Sequence, residues 1–473
     1  HPNHLEFKTK GYNNLAAAVV DDKKYTDKIS IAVSETSVPK LEDDEKYSNW
    51  RANIKYFRYK LDANLYNGSK NLYNYKEFAS NVYDRFNLVL DKKNQKAIDD
   101  FCKTIPKSDN LQDQIWNIEN KVKKTIAYNR YFDTKENLAS VIKTKQANQS
   151  EILPLYLSIF KYFKIENEIV FASNRYDIAF DPEFESYENL DELLFFFPSI
   201  NKFMSPTEIE YRIPLIPNIL ANNNGLFIKG KEFAGVKMGI GEIRFIPIPG
   251  VEITHDVMDI TIDFSKDIEN PTITNEISFG GYSALNFQPI KDFAPADQYK
   301  EILKSIAENY TIQEEYTSLT AENEGTEFIG KKPFVLKVTF EGKDLVQKAG
   351  DNYLFSVGKT IGSQMELYQE NKRKLPIELD YPHSYSRKII VKLPKDVMVK
   401  NLDNFNMNYK TEMNGKTEAA FVSSYKQIEN EITIVNEEFY KVNDFPLEYF
   451  DSYKDVINAA ADFNKITIVL NKN

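Results

Sequence analysis

Acyl-transfer chemistry at neutral pH needs a thiolate or an activated hydroxyl as nucleophile and a histidine to move its proton. This sequence is short of both. Cys102 is the one cysteine, and the four histidines are His1, His4, His255 and His383. Cys102 follows Ala97-Ile98-Asp99-Asp100-Phe101, with no basic group before Lys103 and helical apolar spacing around it, which reads as a buried, inert thiol. His255-Asp256 sets an imidazole beside a carboxylate, but strand neighbours point to opposite faces, so a partly exposed histidine is expected. Gly358-Lys359-Thr360 ends like a phosphate-binding loop, yet Tyr353 stands where that loop's first glycine belongs. Gly239-Ile240-Gly241 has Arg244 where a dinucleotide fingerprint needs a third glycine. Both predict turns, the first in a β-hairpin. Glu42-Asp43-Asp44-Glu45 lacks the alternating ligands and central glycine of a calcium loop and reads as a solvated face. With neither paired cysteines nor clustered histidines, no metal site and no cofactor is expected. Asp177, Asp181, Glu183 and Glu185 could do acid/base work if burial split their pKa values; in a solvated loop they stay ionised and idle.

The elements that must position these residues follow from hydrophobic period. The chain has 473 residues, which suggests two to four domains, and a formal charge of −10, which argues against a nucleic-acid partner. No apolar run approaches the ~18 residues of a membrane span. Of 60 basic residues nine are Arg, a bias that matches an AT-rich genome. Ile29, Ile31 and Val33 alternate, as do Phe57, Tyr59 and Leu61, so residues 1–65 read as strands. Tyr75, Phe78, Ala79, Val82, Tyr83 and Phe86 fall at helical spacing, and a helical block is expected over 70–163. Its last helix spans Ser150 to Phe163 with Pro154 near its start, followed by a strand at Glu168 to Ala172. Beyond 208, short β runs dominate, interrupted by helices near Tyr299 to Tyr310 and Glu448 to Phe463. Strands, then helices, then many strands predict an α+β chain of modules in series.

The segment Val141-Ile142-Lys143-Thr144-Lys145-Gln146-Ala147-Asn148-Gln149-Ser150-Glu151, with Leu153 to Ile165 and the strand after it, resembles the core of the transglutaminase-like superfamily. In that family a Gly-Asp-Cys-Lys-Asp sequence opens the central helix, a histidine follows on a strand, and an Asp-Pro-Thr completes the triad. Here Ala147-Asn148-Gln149 and Ser205-Pro206-Thr207 stand in those places, and no histidine lies between His4 and His255. Phe7 to Tyr12, Val38 to Leu41 and Glu45 to Tyr47 resemble the uncharacterised β domain that precedes this core in large bacterial envelope proteins. Ile389 to Pro394, Tyr449, Tyr453 and Ile466 to Leu470 resemble the β domain that follows it.

The resemblance implies a degenerate papain/transglutaminase-like core between β-sandwich-like domains. The expected divisions are 1–65, the end of an N-terminal β domain; 66–210, the core; 211–328, a β-rich connection with one helix; and 329–473, a C-terminal β domain. It also implies a signal sequence and a complete first domain ahead of this chain, which opens without either, and a periplasmic, outer-membrane-associated or cell-surface location. A glutamine amide has no comparable nucleophilicity, and Ser150 beside it lacks a histidine to activate it. The expectation is therefore a non-enzyme: a binding or scaffolding module for an envelope protein partner, an outer-membrane complex, a peptide or a glycan. Gln149, Ser150, Tyr131, Phe132, Phe196 and Ser205 are the expected cleft residues. The alternative is a hydrolase built on the carboxylates at 177–185.

Overall fold

The computed structural model describes residues 1–41, 45–133, 137–313, 315–369 and 371–472. The fold is α+β, and the chain forms two compact units: His1–Asp43 with Asn49–Ile248, and Asp44–Ser48 with Pro249–Asn473.

In the first unit, strand β1 (Leu5–Tyr12) pairs antiparallel with β2 (Tyr56–Asn64). Helices α1 (Tyr75–Phe86), α2 (Lys92–Cys102), α3 (Leu111–Thr125), α4 (Leu138–Thr144) and α5 (Gln149–Phe163) follow. An asparagine or aspartate caps each of them, Asn74, Asp91, Asn110, Asn137 and Asn148, its side chain accepting from an N–H of the first turn. Helix α5 is apolar through its middle, where Ile152, Leu153, Leu155, Tyr156, Ile159 and Phe160 are fully buried, while Ser150, Lys161 and Tyr162 near its ends are exposed. A five-stranded antiparallel sheet covers it. Its strands are β3 (Glu168–Ala172), β4 (Glu192–Phe197), β5 (Lys202–Met204), β6 (Asn223–Phe233) and β7 (Val236–Ile246), in the order β5-β4-β3-β6-β7. Phe195 and Phe197 of β4 meet Phe160 edge-on, with centroids 5.1 and 5.3 Å away.

In the second unit an eight-stranded sheet is built from β8 (His255–Asp263), β9 (Thr272–Phe279), β10 (Ser318–Glu322), β11 (Phe334–Glu341), β14 (His383–Lys392), β16 (Met407–Met413), β17 (Lys416–Ile428) and β18 (Glu431–Tyr440). Its order is β10-β11-β9-β8-β14-β18-β17-β16, and β8 with β14 is its one parallel pairing. A four-stranded sheet contains β12 (Val346–Ala349), β13 (Asn352–Phe355), β15 (Val397–Lys400) and β19 (Ile468–Lys472). Helices α6 (Tyr299–Thr311) and α7 (Phe450–Asn464) share its core.

Several expectations change. The division at 210 falls inside one module, because β6 and β7 extend the sheet of β3; the division at 328 is crossed by the eight-stranded sheet. Gly239-Ile240-Gly241 is not a turn but the middle of β7, and Gly358-Lys359-Thr360 is a 3-10 helix with Gly358 against the end of α7. Glu42, Asp43 and Asp44 lie outside the described residues, while Glu45 is buried and accepts the N–H groups of Lys374 and Leu375, each at 2.8 Å. No helix among the described residues is long and apolar enough to cross a membrane.

The β7 glycines let α1 lie directly on the hairpin. A Cβ on Gly239 would sit 2.3 Å from the Ala79 carbonyl oxygen. Gly239→Val is expected to destabilise the chain by about 2 kcal/mol or more in denaturant titration, whereas Lys237→Thr beside it stays within about 0.5 kcal/mol.

Candidate functional site

The first unit holds a cleft of about 420 Å³ at the N-terminus of α5. Phe78, Asn81, Val82, Arg85 and Phe86 line it from α1, spaced to share one helical face. Arg130 enters from the loop after α3, Phe171 from β3, and Asn148, Gln149 and Ser150 from the start of α5. Sequence reasoning placed Gln149 and Ser150 here, and the structure does too.

Local chemistry explains this helix start. Asn148 Oδ1 accepts from the Ser150 N–H at 2.9 Å and from its hydroxyl at 2.7 Å; the Glu151 carboxylate accepts from the Asn148 N–H at 2.9 Å. The result is a capping box, and Glu151 is buried within it. The Ser150 hydroxyl is thus committed to the cap. Gln149 is half-buried, and its side chain makes no hydrogen bond to a described residue. Pro154, inside the first turns of the helix, has no N–H to offer the Ser150 carbonyl one turn earlier.

Charge in the cleft is one-sided. Arg85 is exposed and forms no ion pair with a described residue. Arg130 is held loosely by Asp191 at 4.0 Å and Glu192 at 3.8 Å. Burial pushes the Glu192 carboxyl up, and the neighbouring Asp191 adds to the shift against the pull of Arg130. Among the described residues, no cysteine, histidine or carboxylate lines the cleft.

Four expected lining residues are elsewhere. Tyr131 is 85% exposed, and Phe132 contributes only its carbonyl, which accepts from Asn148 Nδ2 at 3.1 Å. Phe196 points to the other face of the sheet, against Phe203 and Phe227. Ser205 is buried, with no hydrogen-bond partner for its hydroxyl. The loop beyond Ser205 is pinned to α3: Glu119 accepts from Lys123 and from the Ile213 N–H, each at 2.7 Å, and buried Arg212 donates to Asn120 at 3.2 Å. Burial lowers the Lys123 ammonium to about 8, against the opposing attraction of Glu119.

Of the carboxylates at 177–185, Asp177, Asp181 and Glu183 are ion-paired. Asp181 accepts from Lys10 Nζ and Tyr12 Oη, both at 2.6 Å; burial would raise its carboxyl, but these bonds hold it below the usual range. Asp177 meets Arg51 at 3.2 Å, and Glu183 is 83% exposed. His255 is partly exposed and Asp256 buried, on opposite strand faces. No group of three or more ionisable ligands that could hold a metal occurs among the described residues.

Arg85 and Arg130 were missed from the sequence. The available signal was scarcity. Lysine is the default base here, and Arg58, Arg175, Arg212, Arg373 and Arg387 are all buried. At these five buried positions a fixed charge and planar fork have close partners to meet.

No family model matches the sequence, and no curated protein matches it. Among solved structures, the chain is similar to a crystal structure described as a putative protease from Parabacteroides distasonis, with TM-score 0.50 and 10% identity over 99% of this chain and 70% of that one. At this identity the likeness speaks to the α+β fold alone.

Burial, followed by the nearby Asp99 charge, pushes the Cys102 thiol up to about 12. Thiolate is therefore scarce at pH 8. Expected is no reaction with a thiol-reactive disulfide dye in the native protein at that pH and one equivalent of reaction after denaturation; labelling of the native protein would contradict the burial.

Proposed function

We propose that this chain is a non-catalytic, transglutaminase-like binding module of a bacterial envelope, and that the cleft beside Gln149 holds a peptide segment bearing a carboxylate. The observation that carries this reading is the lining: two arginines, three side-chain amides and three phenylalanines, without a nucleophile, a histidine or a carboxylate. Guanidinium groups bind carboxylates through paired, charge-assisted hydrogen bonds, and the dipole of a helix start favours negative charge. Side-chain amides suit peptide carbonyls and N–H groups, and the phenylalanines suit an apolar side chain between them. A glycan would ask for more acceptors than these residues offer its hydroxyls.

A hydrolase at 177–185 is the weaker reading. Asp181 is already bound by Lys10 and Tyr12, and Asp177 by Arg51. An acid/base pair needs one carboxyl held protonated near neutral pH, whereas Asp181 is held ionised.

The test is fluorescence polarisation with a library of short peptides carrying acidic or amidated C-termini, alongside proteolysis and transamidation assays on the same preparation. Expected are saturable binding that requires the carboxylate, about tenfold weakening in each of Arg85→Ala and Arg130→Ala, and no turnover. Turnover lost in Asp181→Asn would replace this reading with the hydrolase.

A further inference from the structure

The second unit contains a cavity of about 260 Å³ that no comparison assigns. Its floor is three neighbouring strands. Asp256 on β8, Tyr385 on β14 and Glu438 on β18 occupy one rung, since Asp256 pairs with Tyr385 and Tyr385 with Glu438. At ~5 Å per strand spacing the two acidic residues start roughly 10 Å apart across that tyrosine. Arg387 rises from the next inward-facing position of β14, and His383 from the one on the other side of Tyr385. Tyr47, Tyr310, Tyr440 and Tyr453 form walls, and Asn309 and Gln364 stand among the remaining lining groups.

Polar groups enclosed like this are normally satisfied by one another. Here they are not. Asp256 is 7% exposed; Ser283 hydrogen-bonds to its carboxyl, but its buried Oδ1 has no donor among the described residues. Arg387 is 5% exposed; its Nη1 donates to the carbonyls of Asp256 at 2.6 Å and Ser386 at 3.1 Å, and its Nε and Nη2 have no acceptor among the described residues. The guanidinium makes no ion pair with any described carboxylate, although both Asp256 and Glu438 feel its charge. Two nearly buried charged groups are thus held apart across an open space with bonds to spare.

Burial pushes the Glu438 carboxyl up to about 7, against the opposing pull of its Tyr440 hydrogen bond and Arg387. The His383 Nδ1–H donates to the Tyr381 carbonyl at 2.9 Å, which leaves Nε2 as an acceptor. The lining therefore interleaves donors and acceptors around a nearly balanced charge, under tyrosine rings. Arg387 disfavours a cationic guest, and the carboxyls disfavour an anionic one. The space is below the ~300 Å³ at which pockets for drug-sized molecules begin, and it suits one ring with its substituents. Neighbouring hydroxyls of a sugar ring pair with carboxylate and guanidinium oxygens and nitrogens, and its C–H face packs on an aromatic ring.

We infer that this cavity is a binding site for a single neutral sugar residue, held through Asp256, Arg387 and Glu438 and stacked on the tyrosine walls. It is separate in chain and chemistry from the cleft at Gln149, so either can fail alone.

The test titrates the full chain with the methyl glycosides of glucose, galactose, mannose and N-acetylglucosamine, read by calorimetry and tyrosine fluorescence. Expected is saturation by at least one glycoside with Kd of ~1 mM or tighter, weakened about tenfold in Glu438→Gln, and weakened also in Asn309→Ala, which changes an exposed residue at the rim. Far-ultraviolet circular dichroism and thermal unfolding serve as the control for folding and should not change. Absence of saturation by all four glycosides, saturation by tetramethylammonium instead, or undiminished glycoside affinity in both variants would each overturn the assignment.

Discussion

The apolar middle of helix α5 cannot face water, and the first unit is the set of elements required to enclose it. Its buried side chains would each lose about 1.5–3 kcal/mol if exposed, so α1, α2, α4 and the aromatic face of β4 close around it. A buried helix still has to end, and its first N–H groups need acceptors. Asn148 and Glu151 meet part of that need. The remaining polar backbone is left where the enclosure opens, at the cleft. The position of the cleft is thus a consequence of burying the helix, whatever chemistry occupies it.

The occupant chemistry is then set by what converges on that opening. One face of α1, with Tyr75, Ala79 and Tyr83, lies on the β6-β7 hairpin, where Gly230, Gly239 and Gly241 leave no side chain in the way. That contact turns the other face, Phe78, Asn81, Val82, Arg85 and Phe86, toward Gln149. Side chains at these glycines would displace the helix from the hairpin, so the hairpin governs how closely Arg85 approaches the α5 start. Gln149 and Ser205 contrast in setting. Gln149 offers its amide to the cleft, and Ser205 is sealed in the interior, its hydroxyl without a hydrogen-bond partner among the described residues.

What could be read from the chain follows from the range of the interactions involved. Helix α5 and strand β3 were legible because continuous apolar sequence, a proline near the helix start and a length suited to each element are local signals. The glycines of β7 misled because a turn and a close helix–strand contact both select glycine, and only the tertiary packing of α1 separates the two. Division at 210 failed for a similar reason: β6 pairs with β3 across some fifty residues of intervening chain, and strand pairing of that span leaves no mark in local composition. In the cleft, the helix-start residues were visible from the motif, whereas Arg85 and Arg130 join it from separate elements. Phe196 was misplaced because Phe195, Phe196 and Phe197 alternate between two faces of a sheet buried on both.

The eight-stranded sheet carries a related pattern that becomes meaningful only in register. Along β14 the inward side chains run His383, Tyr385, Arg387, Ile389, Val391; along β8 they run Asp256, Met258, Ile260, Ile262; along β18, reversed, Tyr440, Glu438, Asn436, Ile434, Ile432. Each strand taken alone is an amphipathic segment with a polar end, as strand ends commonly are. Paired, the three polar ends align into one band bordering an apolar core. Burying polar groups without partners costs about 1–3 kcal/mol apiece, and apolar residues of similar volume would serve a purely structural sheet as well or better. The parallel β8-β14 pairing brings Asp256 level with Tyr385, and the antiparallel β14-β18 pairing brings Glu438 to the same rung. Shifting either strand by one residue would turn its carboxylate away from the cavity and its alternate set into the core. The same register that builds the core therefore assembles the cavity, and stability of the sheet enforces the spacing of its polar groups.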